Sequence, residues 1–174
     1  KEVIEICKKY HDILFPVVGI HPDNISDKEN MISKLENIII SNKVYGIGEI
    51  GLDYYHNNEN RTEQKELFSD QIDLANKYNL PIVVHTRDSI QDCFDILKTK
   101  KIKGIIHCYS GSVEMAKELI KLGFFLGIGG VLTFKNSTNN KDYVIYTDNT
   151  VDNSNKLRFY AAIYNPTLPN PFIG

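Results

Sequence analysis

The 174-residue chain predicts an α/β fold in which parallel strands are covered by helices on their outer face. Two observations carry this. Short apolar runs recur without clean polar alternation, as expected of strands buried on both sides. After each comes a stretch with apolar residues at three- and four-residue intervals, the signature of an amphipathic helix. Five strand segments can be counted: FPVVGIHP (15–22), VYGIGEI (44–50), PIVVHTR (81–87), GIIHCYS (104–110) and FFLGIGGV from Phe124. A closed eight-stranded barrel typically takes about 250 residues, whereas an open doubly wound sheet fits this length, and periodicity leaves both open.

In chain order, KEVIEICKKY places Val3, Ile6 and Tyr10 at helical spacing, and the first strand follows. From Ser26 a second helix is expected, with a Ser26-to-Glu29 capping box and Ile32, Leu35 and Ile39 on one face. The strand at 44–50 leads to a helix opened by Asn60 and Glu63, with Phe68, Ile72, Ala75 and Tyr78 inward. Pro81 bounds the third strand, and Ser89 with Asp92 caps a helix carrying Ile90, Phe94 and Leu97. The fourth strand gives way at Ser112 to a helix with Ala116, Leu119 and Ile120 inward, ended by Gly123. Beyond Asn136 the chain turns polar, asparagine-rich and proline-broken, with YVIY as an apolar island. The expected organisation is therefore an α/β unit over 1–136 and a divergent segment over 137–174 that packs irregularly.

A net charge of -2 excludes a strongly basic footprint for nucleic acid, though not a local cationic groove. Cys7, Cys93 and Cys108 form no CxxC pair, which argues against a disulfide framework or a zinc knuckle and for a reducing, cytoplasmic setting. No apolar run approaches the roughly 18 to 20 residues of a membrane helix. The chain starts at Lys1, not at a methionine, so its N-terminus says little about targeting.

Polar residues of metal-ligand type recur at strand carboxyl ends: His21 in GIHP, Glu49 in GIGEIG, His85 in VVHTR and His107 in IIHCYS. In parallel α/β folds these ends open on one face, where active sites are assembled. One histidine ending a buried strand is more often a hydrogen-bonded core residue than a ligand. Glu49 is harder to dismiss, because a buried carboxylate is costly unless it is paired or binds a metal. Four such residues at equivalent positions favour a site. Asp53, Tyr54 and Tyr55 lie past the expected strand end and read as loop and rim. Imidazole and carboxylate without thiolate suit zinc, manganese or iron, and tolerate magnesium. Arg87, two residues after His85, projects to the same face and suits a phosphate oxygen, with an ion pair to Asp88 or Glu49 as the plain alternative.

In order, the motifs VVGIHP, GIGEIGLDYY, PIVVHTRDS, IIHCYSGS and FLGIGGVLTFKN, over residues 16 to 136, resemble the TatD-like metal-dependent deoxyribonucleases. The resemblance implies a TIM-type β/α barrel, here with five to six of eight strands, and hydrolysis of DNA phosphodiester bonds from the 3′ end. It implies two divalent metals (Mg, Mn or Zn), with Glu49 shared between the metal sites, His85 and His107 as ligands, and His21 lining the site. Arg87 then assists catalysis beside Glu49. DNA is the implied partner, with no membrane role and a monomeric state. The family's opening His-x-His strand is not in this chain, and its closing Glu-Thr-Asp is echoed only by Tyr146-Thr147-Asp148. A fragment or altered gene product with little activity and a tendency to aggregate is therefore expected. The alternatives are a barrel hydrolase acting on an amide or lactone, and a non-catalytic truncated product that binds a partner.

Overall fold

The computed structural model describes residues 2–25 and 27–129. Its elements alternate along the chain: α1 (Glu2–Lys9), β1 (Val17–Val18), a single 3-10 turn (Pro22–Asn24), α2 (Lys28–Ser41), β2 (Gly46–Asp53), α3 (Arg61–Lys77), β3 (Ile82–Arg87), α4 (Ile90–Leu97), β4 (Gly104–Ile106), α5 (Val113–Lys121) and β5 (Phe124–Leu126). The strands form one sheet in the order β1-β2-β3-β4-β5, every neighbouring pair parallel. Each strand lies beside its predecessor in sequence. A doubly wound sheet reverses its strand order at a switch point, whereas a barrel winds in one direction, and this sheet has no reversal. The expected segment 137–174, its boundary at Asn136, and Asp148 lie outside the described residues.

The core fills the space between sheet and helices. Ile47, Ile50, Leu52, Ile82, Val84 and Ile106 come from the strands, Leu67, Phe68, Ile72 and Ala75 from α3, Cys93 and Leu97 from α4, and Leu119 from α5. Burying one such side chain contributes on the order of 1.5 to 3 kcal/mol, which makes α3 the main clamp on β2. Among the described residues no helix is long and apolar enough to cross a membrane.

Three local expectations change. In α1 the buried residues are Ile4 and Cys7, while Val3, Ile6 and Tyr10 are exposed. Both sets have helical spacing, so spacing alone left the inward face undecided. Asp27 caps α2, its carboxylate accepting from Asn30 N at 3.3 Å, while Ser26 lies outside the described residues. Ser89 precedes α4 but makes no side-chain cap bond; its hydroxyl donates to the Leu52 carbonyl at 2.7 Å, tying the helix start to β2. Ser112 does cap α5, accepting from Met115 N, and Gly123 follows at φ +90°.

Candidate metal centre

β2 carries the site and departs most from regular strand geometry. Between Ile47 and Ile50 it spends three steps where β3 spends two, from Ile82 to Val84. Such an irregularity re-aims side chains. It falls at Gly48 and Glu49, where the backbone is crowded: a Cβ on Gly48 would lie 2.6 Å from that of Val83. Glu49 is thereby half-buried while its neighbours Ile47 and Ile50 are fully enclosed.

Around Glu49 the strand ends converge. His85 Nδ1, on β3, lies 3.2 Å from Glu49 Oε1. His107, directly after β4, brings Nε2 to 3.8 Å from the same oxygen and is half-exposed. His21, between β1 and the 3-10 turn, packs its ring against His85 with centroids 4.5 Å apart. Each of His21, Glu49 and His85 offers a ligand atom within 4.8 Å of the other two. Two imidazoles and a carboxylate of this spacing fit a first-row divalent cation. His21 joins this closest grouping although the motif resemblance gave it only a lining role, and His107 stands beside it.

The carboxylate and imidazole are electrostatically matched. The hydrogen bond to His85 holds the Glu49 carboxyl below its ordinary value, against the opposing effect of burial, with His107 and His21 adding to the lowering. Burial alone would depress His85, but its bonds to Glu49 and Asp53 outweigh that and raise it above 6.5.

Asp53 corrects the sequence reading. It is not loop or rim: β2 continues to it, and it is fully enclosed. Its Oδ2 lies 3.0 Å from His85 Nε2 and 2.9 Å from His56 Nδ1, and its Oδ1 accepts from the backbone N–H groups of Tyr55 and His56. Burial would raise this carboxyl, yet the backbone and side chain of His56, with His85, hold it far below the usual carboxylate range. Its even spacing from Glu49 was the signal available, since strand residues four apart share a face. Tyr54 is likewise buried, its hydroxyl donating to Asp92 at 2.6 Å. Tyr55 does lie on the rim, 62% exposed.

Two further residues were missed. Gln64 and Gln71, seven apart on α3, are both buried. Gln71 accepts from Ile20 N at 2.7 Å and donates to Ile20 O at 3.0 Å, fixing the backbone just before His21. Gln64 grips Asp53 in the same way, at 2.8 and 3.0 Å. A polar side chain on an inward helical position was the signal, since burial demands a partner. Arg87 ends β3 with its guanidinium 4.0 Å from the Tyr55 ring centroid, and among the described residues it makes no ion pair with Asp88 or Glu49.

Known proteins resemble this chain in sequence and fold. The uncharacterized metal-dependent hydrolase YabD of Bacillus subtilis is 39% identical over 145 residues, 81% of this chain and 56% of that protein. YcfH of Escherichia coli K12, described in the same words, is 34% identical over 131 residues, 74% of this chain and 49% of its own length. Among solved structures, YJJV, a TatD homolog of Escherichia coli K12, superposes with a TM-score of 0.73 at 26% identity, over 80% of this chain and 55% of that one. A TatD family hydrolase from Entamoeba histolytica gives 0.63 at 28%, over 74% and 47%. The chain spans about half the length of the relatives it matches. Fold and relatives together define the class as α/β, its sheet part of a TIM-type barrel, and the relatives it resembles are described as metal-dependent hydrolases. Within that class the chain belongs to the TatD-related DNase family, whose description matches residues 1–152.

Proposed function

We propose that this site serves the hydrolysis of DNA phosphodiester bonds, as a 3′ to 5′ exonuclease, with two divalent metals. The observation that carries the reading is the meeting of His21, Glu49 and His85 at the strand ends, with Arg87 closing the same strand as His85. Glu49 would be shared between the metals, with His85 and His107 as further ligands and His21 beside them. A magnesium, manganese or zinc ion held by these residues would polarise a phosphoryl oxygen and would bring the pKa of a water toward about 7. Glu49, kept ionised by His85, would place its negative charge against the cations. Arg87 offers a planar fork matched to two phosphate oxygens, and Tyr55 beneath it keeps that fork at the rim. Water adds across the P–O bond, and the leaving oxygen takes up a proton. The family name supports DNA over an amide or lactone, and Arg87 suits an anionic substrate.

The test is phosphodiesterase turnover on a DNA strand with a labelled 3′ end, using the protein loaded with manganese. Glu49→Ala is expected to lower kcat by about 10²- to 10³-fold, the scale lost when electrostatic support of the transition state is removed. Turnover unchanged in that variant would exclude the role given to Glu49.

A further inference from the structure

We propose that Asp53 is a positioning residue that holds His85 as the Nε2–H tautomer, so that the Nδ1 lone pair faces Glu49 and His21. The inference rests on the reading of Glu49 and His85 as metal donors, and goes beyond it by assigning which nitrogen binds and what selects it. A neutral imidazole carries one proton and one lone pair, and the partner of one nitrogen decides the role of the other. His85 lies between two carboxylates: Glu49 at 3.2 Å from Nδ1 and Asp53 at 3.0 Å from Nε2. They differ in freedom. Glu49 is half-buried at the site mouth, whereas Asp53 is fully enclosed and already committed to two backbone N–H groups and to His56.

Those commitments decide between ligand and support. Asp53 Oδ1 takes the N–H groups of Tyr55 and His56, and Oδ2 faces His56 Nδ1 and His85 Nε2. A carboxylate so occupied offers a cation little, although Asp23, Asp53 and His56 also bring donor atoms within 4.8 Å of one another. It does make a fixed acceptor. Gln64 grips the Asp53 backbone from α3 while the Asp53 carboxylate meets His85, so the acceptor is anchored through its main chain as well as its side chain.

The experiment uses the whole chain labelled with 15N-histidine, free of metal, at alkaline pH where the imidazoles are neutral. His85 is expected to show a protonated Nε2 and an unprotonated Nδ1. Asp53→Asn is expected to give a mixture of tautomers and to weaken zinc binding by 10- to 100-fold, the usual cost of losing such a support. His56→Gln, which leaves the His85 contact in place, is expected to preserve both readouts. A wild-type His85 protonated on Nδ1 would overturn the proposal without any variant, as would an Asp53→Asn protein with zinc affinity within twofold of wild type. A wild-type chain that shows the Nε2–H tautomer but binds no zinc would count against the metal site itself, leaving the tautomer assignment intact.

Discussion

At Gly51 the backbone takes φ +145°, and a Cβ there would sit 2.0 Å from the His85 carbonyl oxygen. The close approach lets β2 pass beside β3 at the residue that presents His85. Gly51→Ala should lose more than about 2 kcal/mol through strain and overlap combined, read as a lower midpoint in denaturant. Titration gives a second residue-scale expectation. In the metal-free chain the raised His85 contributes stability that is fully present below pH 6.5 and lost as pH rises through its folded pKa. Metal must displace that extra proton, so zinc affinity should strengthen as pH rises through the same region, with proton release visible by calorimetry in buffers of different ionisation enthalpy. An affinity that weakens as pH rises above 6.5 would contradict this. Glu49 and the histidines were legible as single letters in a repeating context. Asp53 was not, because only pairing with β3, at Leu52 to Thr86 and Asp53 to Arg87, carries the strand past Ile50.

The elements were legible to the extent that local pattern determines them. Every expected helix and strand over the described residues is present, since each combines an apolar period with a breaker or a cap. Their lengths were not. β1 was expected from FPVVGIHP but pairs only at Val17 and Val18, because Ile20 bonds to Gln71 instead of a neighbouring strand. Side chains reaching across 51 residues leave no mark in a local window. The expected consequence is measurable: Gln71→Ala leaves the Ile20 N–H and C=O without that partner, and should cost roughly 3 kcal/mol, more than an exposed substitution on α3 such as Glu63→Ala. Thermal unfolding of both variants would check the contrast.

For the molecule as a whole, alternation of strand and helix identified the α/β class, while winding direction needed non-local pairing. The order β1-β2-β3-β4-β5 supplied it, and similarity to TatD proteins agrees. Cooperativity of this sheet can be read from its thiols. Cys93, on α4, is enclosed against the sheet, and burial pushes its thiol up to about 12, whereas Cys108 is exposed. A thiol reagent should label Cys108 in the native chain and Cys93 only on opening, slower by on the order of 10³-fold or more. Comparable rates at the two sites, followed by mass spectrometry, would mean that the sheet opens without global unfolding.

The two glutamines of α3 carry a last consequence. Gln71 grips the backbone before His21, and Gln64 grips Asp53, from positions two helical turns apart. The helix therefore acts as a ruler laid along the back of the site, its two marks setting the distance between the end of β2 and the segment after β1. Removing one residue between the marks would swing one glutamine by about 100° around the axis and lift it off its strand. Substitutions along the intervening surface are thus tolerable where a change of length is not.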